Sequence, residues 1–174
     1  DAGALEPLRR AFALGREHGY RETLWWRQRE TAELCALAMR HAIETEFARG
    51  LVRARRLVPK VPPLDVAAWP WPFRIATLGG FELLKYSDAV EFSGKGPGRP
   101  MELLKVLVAL GGHNVRADQL ADALWPHVDA DYAHKSFTAT LHRLRKLLGD
   151  DEALVLRDGR LSLNSALIRV DTWA

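Results

Sequence analysis

Between Lys135 and Lys146 the chain carries four basic side chains, Lys135, Arg143, Arg145 and Lys146, and no acidic one. Asp129, Asp131, Asp150 and Asp151 stand just outside that stretch. Phe137, Leu141, Leu144 and Leu148 recur there at three- and four-residue spacing, which at about 100° per residue gathers them on one stripe of a helix over 130–148. That stripe has to face a core. The opposite face then presents Lys135, Ala139, His142, Arg143 and Lys146, with Ser136 and Thr138 on its flanks. Such a face suits the major groove of DNA, where Arg and Lys reach guanine O6 and N7 and short Ser, Thr and Ala allow close approach and contact with thymine methyls. A neutral imidazole such as that of His142 can accept as well as donate a hydrogen bond. An amphipathic helix with a merely solvated basic face has the same composition, so the neighbouring elements decide between the two.

Those neighbours are punctuated clearly. Pro100–Leu110 carries Leu103, Leu104, Val106, Leu107 and Leu110 at helical spacing and stops at Gly111-Gly112, and Ala117–Trp125 carries Leu120, Ala121 and Leu124 and stops before Pro126. Beyond the third helix, residues 154–163 alternate about Asp158-Gly159, a strong two-residue hairpin turn that sets Arg157 and Arg160 at a tip. Upstream, Phe73, Ile75 and Leu78 are separated by Gly79-Gly80 from Phe81 and Leu83, and Val90 and Phe92 alternate with polar residues, which predicts a small antiparallel sheet. Sheet, three helices and a terminal hairpin follow the order of a winged helix-turn-helix, and that order favours DNA docking for the basic face. The glycine-rich stretch 94–100 lacks the Gly-x-x-x-x-Gly-Lys-Ser/Thr spacing of a phosphate loop.

The N-terminal third reads differently. Residues 5–57 are rich in Ala, Leu, Arg and Glu without a strand pattern, predicting helices over Leu5–Glu17, Glu22–His41 with a break near Trp26, and Ile43–Arg56. Short helices with one apolar stripe each suit the end of an α-solenoid, for which Arg49–Arg56 would be a polar cap. Trp25, Trp26, Leu34, Leu37, Ala38 and Met39 are expected in an interhelical core, with Cys35 among them as a small apolar residue. Residues 58–72 hold five of the nine prolines, Pro59, Pro62, Pro63, Pro70 and Pro72, a density that excludes helix and central strand and predicts a semi-rigid spacer. The two tryptophans of Trp69-Pro70-Trp71-Pro72 are expected to fold back onto a neighbouring domain.

Composition bounds the rest. With 174 residues, 48% hydrophobic and 27% charged, the chain can bury a sizeable core. One cysteine excludes an internal disulfide framework and a cysteine-based metal cluster, and fits a reducing cytoplasm. No apolar run reaches the roughly 20 residues of a transmembrane helix and no signal-peptide pattern opens the chain. Its start at Asp1 and its stop at Ala174 suggest a piece of a larger polypeptide. The net charge of +3 lies in the N-terminal part: residues 1–63 hold 12 basic and 8 acidic side chains, 64–97 hold 3 and 4, and 98–174 hold 10 and 10. A DNA argument therefore rests on local clustering. His18 and His41 have no second ligand type at metal spacing, and His113, His127, His134 and His142 pair with no nucleophile or carboxylate set, so neither an enzyme nor a cofactor is expected.

Three segments carry a more specific likeness: Arg99-Pro100-Met101-Glu102-Leu103-Leu104-Lys105, Ala123-Leu124-Trp125-Pro126, and Leu141-His142-Arg143-Leu144-Arg145-Lys146-Leu147-Leu148-Gly149. Across Phe73–Leu163 the chain resembles the OmpR-type winged-helix domain of the SARP branch of bacterial transcription activators. Its N-terminal helices and Trp-Pro-Trp-Pro segment resemble the end of the TPR-like helical-repeat region in large ATP-dependent activators of the LuxR/MalT-like kind. The resemblance implies binding to repeated half-sites of double-stranded DNA, with the third helix in the major groove and the hairpin wing at a neighbouring minor groove. It also implies that the acidic loop 126–131 faces RNA polymerase. The resemblance implies a helical activation domain following Val170-Asp171, which the 174 residues do not include, and a third helix with more basic residues near its start than this one carries. The sequence thus predicts an α+β chain: a helical-repeat end over 1–57, a linker over 58–72, and a winged helix-turn-helix with small antiparallel sheets over 73–174. A protein-interaction scaffold, with helical array and winged helix both binding protein, is the competing expectation.

Overall fold

A computed structural model describes residues 2–20, 27–86, 88–90 and 98–173. Among these residues the chain forms six α-helices and two small sheets. They fall into two compact units, one running to Pro72 and including Trp173, the other spanning Phe73–Thr172.

In the first unit, α1 (Ala2–Glu17), α2 (Gln28–Arg40) and α3 (Thr45–Arg55) each turn one apolar stripe inward. Leu8 and Phe12 of α1 meet Ala32, Cys35, Ala36 and Met39 of α2 and Ala48, Leu51 and Val52 of α3 in one core. These positions recur at three and four residues, as a single buried helix face requires. Phe12 meets Phe47 edge-on with ring centroids 5.9 Å apart, and Arg16 Nε pairs with Glu44 at 2.9 Å. Burial pushes the Cys35 thiol up to about 12, in keeping with a small core residue. Leu34, expected in the core, is instead exposed, because the α2 stripe passes through residues 32, 35, 36 and 39. α1 begins three residues before Leu5 and carries Pro7 inside it. Of the helix expected over Glu22–His41, residues 22–26, Trp25 and Trp26 among them, lie outside the described residues, and the helix runs from Gln28 to Arg40.

Residues 58–72, expected as a spacer, are a packed strap. Leu57, Val66, Trp69 and Trp71 bury into the same core as the three helices, and Pro59, Pro63 and Pro70 are also buried. Asp65 accepts from Arg40 Nε at 2.6 Å and from its terminal nitrogen at 3.0 Å. Prolines bar this strap from helix or sheet but do not bar it from packing, and each tryptophan removes on the order of 150–250 Å² from water when it does.

The second unit contains β1 (Phe73–Ala76), β2 (Glu82–Lys85), β3 (Asp88–Ala89), α4 (Gly98–Ala109), β4 (Val115–Arg116), α5 (Ala117–Leu124), α6 (Ala130–Leu148), β5 (Leu154–Arg157), β6 (Arg160–Leu163) and β7 (Ile168–Val170). One sheet has the order β3-β2-β1-β7 and the other β4-β6-β5. The first is mixed, which corrects the expectation of antiparallel sheets only: β1 pairs antiparallel with β2 but parallel with β7, Phe73 opposite Ile168 and Ile75 opposite Val170. Leu78, expected in a strand, is exposed in the turn after β1. Phe92 and the glycine-rich positions 94–97 lie outside the described residues.

The end of β7 is tied to the end of β1 through one carboxylate. Asp171 accepts from Thr77 N at 2.8 Å, Thr77 Oγ1 at 2.6 Å and Leu78 N at 3.2 Å. The threonine hydroxyl foremost, with the backbone N–H groups, holds its pKa below the ordinary 3.8, at about 2. A depressed carboxylate contributes stability that is present above its unfolded pKa and lost as pH falls through the folded value. Asp171→Asn should therefore lower the melting temperature at pH 7, and the gap to wild type should close between about pH 4 and pH 2. Thermal melts of both proteins across that range check this; a gap that stays constant would remove Asp171 from the tie.

Candidate nucleic-acid interface

α6 is built for a fixed orientation. Asp129 caps its start, its side chain accepting from Asp131 N at 3.0 Å, and Gly149 ends it at φ 67°, a left-handed C-terminal position that glycine adopts without a side-chain clash. Phe137, Leu141, Leu144 and Leu148 are all buried, joined by the smaller Ala133 and Thr140. α4 supplies Leu103, Leu104 and Leu107 to the surrounding core, α5 Leu120 and Leu124, and β6 Leu161 and Leu163. Two long side chains from the flanking strands and helix fix the C-terminal half. Lys85 Nζ of β2 donates to Leu148 O at 2.8 Å, and Arg145 donates to Leu154 O at 2.8 Å.

The face left outward presents Lys135, Thr138, Ala139, His142, Arg143 and Lys146 exposed, with Ser136 half-buried. Thr138 Oγ1 donates to His134 O at 3.0 Å, so its hydroxyl hydrogen is engaged within the helix. Arg145, one of the four basic residues of this stretch, is half-buried and turned to the β5 backbone. A shallow depression runs along the face, lined by His134, Lys135, Thr138, Ala139, His142 and Arg143. His142 also borders a second depression with Lys146, Gly149 and Asp151.

The β5–β6 hairpin lies beside the other end of that face. Asp158 and Gly159 both have positive φ, 48° and 69°, the geometry of a tight type I′ hairpin turn. Arg157 and Arg160 flank the turn as a directly opposed pair and are exposed. Arg160 donates to Asn114 O at 3.1 Å. A third depression joins Arg160, Asp158 and Gly159 to Arg116, Ala117, Asp118 and again His134. His134 thus links the α6 face to the hairpin surface in one continuous tract.

Two of its contributors escaped the sequence reading. Arg116 occupies a two-residue strand too short to show a period, and His134 is separated in sequence from every residue of the hairpin. Arg116 is paired with Asp118, its Nε 3.0 Å from Oδ1 and its terminal nitrogen on Oδ2. That guanidinium first, with Gln119 N, holds the Asp118 carboxyl below the usual range. The loop 126–131 exposes Val128, while Asp129 is occupied in capping α6. No group of three His, Cys, Asp or Glu side chains among the described residues is placed to hold a metal ion. Comparison of the chain with family models, curated proteins and solved structures finds no match.

Gly149 also has a close neighbour: a Cβ there would lie 3.2 Å from Lys85 Nζ, the group that binds the helix end. Gly149→Ala should cost about 1–2 kcal/mol through the left-handed backbone alone, whereas Lys146→Ala on the exposed face should stay within about 0.5 kcal/mol of wild type. Urea unfolding of the two variants compares them, and equal costs would mean that the left-handed backbone at Gly149 does not penalise a side chain there.

Proposed function

We propose that the Phe73–Thr172 unit is a winged helix-turn-helix of the OmpR type in the SARP branch, binding double-stranded DNA as the output domain of a bacterial, cytoplasmic transcription regulator. In this reading α6 enters the major groove and the β5–β6 hairpin meets the minor groove or backbone. The loop 126–131 faces RNA polymerase, and α1–α3 end a TPR-like helical repeat. The observation that carries the reading is the outward face of α6. Its apolar residues are consumed by the core, and what remains outside is basic, small and free of carboxylates from Lys135 to Lys146. Helices in the major groove read bases through such side chains, while arginines at a wing tip meet phosphate or the minor groove.

The two kinds of contact leave different signatures. A bidentate arginine–guanine pair discriminates by about 1–3 kcal/mol, so Arg143→Ala should relax preference at one base position while leaving the fold intact. Binding of wild type and variant to single-base changes in a duplex selected from random sequences measures this. Equal weakening across every duplex would assign Arg143 to the backbone. Removing Arg157 and Arg160 should weaken all duplexes alike and lower the slope of log affinity against log salt by roughly one per lost phosphate contact. If wild-type affinity for duplex were insensitive to salt, the electrostatic basis of DNA binding would be gone, and the protein-interaction scaffold would be the surviving account.

A further inference from the structure

The register of the second sheet brings Arg116 beside Arg160 and Arg157, two arginines of one hairpin that lie far from it in sequence. Arg116 on β4 is directly opposite Arg160 on β6, and Arg160 is directly opposite Arg157 on β5. Directly opposed residues of an antiparallel pair share a face with Cβ atoms about 4.5–5.5 Å apart, and like charges so placed work against the sheet. All three side chains are exposed. Among the described residues the only ion pair in the row is that of Arg116 with Asp118; Arg160 reaches a neutral carbonyl, and Arg157 has no carboxylate partner. Asp158 and His134 stand at the rim of the same depression, and Asp122 adds a further negative charge near Arg116.

A row that the sheet does not need for its own stability is explained by an anion outside it. The guanidinium fork accepts a carboxylate and a phosphate through the same two parallel N–H donors. Asp118, two residues along the chain, fills that fork in the free protein as a phosphodiester would from outside. We propose that Arg116 is a third phosphodiester-binding residue of this sheet, beside Arg160 and Arg157, and that Asp118 is its internal competitor, released when a duplex backbone docks. This rests on the DNA-binding reading above and adds to it a residue and a device: the carboxylate holds down affinity for backbone alone, leaving more of the discrimination to the α6 face.

The test uses the full chain and a short random-sequence duplex, with anisotropy read over a series of salt concentrations. Arg116→Ala should weaken binding several-fold on every sequence and lower the log–log salt slope by about one. Asp118→Asn, which keeps an acceptor for Gln119 N, should tighten binding by about two- to five-fold, the scale of an exposed ion pair. The double variant should match Arg116→Ala alone, because Asp118 acts only through that guanidinium. Arg116→Lys should keep the slope and lose part of the affinity. Thermal melts of each variant confirm the fold. Unchanged affinity and slope in Arg116→Ala, while Arg157→Ala and Arg160→Ala weaken binding, would exclude Arg116 and leave the DNA reading intact. Weaker binding by Asp118→Asn would make the carboxylate a positioning group for Arg116 and overturn the competition. Salt-insensitive binding by wild type would overturn both the DNA reading and this inference.

Discussion

Burial of the Phe137, Leu141, Leu144 and Leu148 stripe is the constraint on which the second unit depends. Once those four side chains are inside, the helix has no rotational freedom left. The opposite face is outward whatever its chemistry, and the neighbours that complete the core have to arrive from α4, α5 and the hairpin. Close-packed interiors resist a change of even one methylene, so the backbone that carries the basic face is fixed by the core beneath it. The ties at its C-terminal end serve the same purpose: Lys85 and Arg145 each spend a cation on a backbone carbonyl, satisfying groups that a helix end or strand would otherwise leave unpaired.

The charges on this unit are thereby sorted by task. Arg145 is structural although it belongs to the same basic run as Arg143 and Lys146, and Asp129 caps a helix although it belongs to an acidic loop. Counting charges along the chain does not separate these roles, since 98–174 is neutral in sum. What distinguishes Arg143 from Arg145 is two residues of helical rotation, about 200°, which carries one guanidinium to solvent and the other to the β5 backbone.

Features whose cause is local were legible in the sequence. The α6 stripe was readable because its period is helical, and the β5–β6 turn because Asp158 and Gly159 tolerate positive φ. Features whose cause is a distant partner were not. β4 and β7 have two and three residues, too few for a period, and exist because β6 and β1 offer them hydrogen bonds. The place of Arg116 beside Arg160 follows from strand register, whereas the turn alone sets Arg157 opposite Arg160. Residues 58–72 misled in another way: proline density reports which backbone shapes are forbidden, and the packing of Trp69 and Trp71 into the helical core is decided by apolar area. The basic, small composition of residues 135–146 was readable directly, because it needs no distant partner to be seen.

The parallel pairing of β1 with β7 has a mechanical meaning. The chain enters the unit at Phe73 and leaves it after Val170, at opposite ends of two neighbouring strands running the same way. Tension applied through the flanking chain pulls these strands past one another, so the bonds from Phe73 N to Leu167 O and from Asp171 N to Ile75 O share the load together instead of opening one by one from an end. Parallel bonds are evenly spaced and slanted along the strands, which suits them to that direction of pull. Tension on both ends of the unit would meet a clamp at the first sheet, while the β5–β6 hairpin, lying between Phe73 and Val170 in sequence but outside that strand pair, would be loaded only after the clamp gave way.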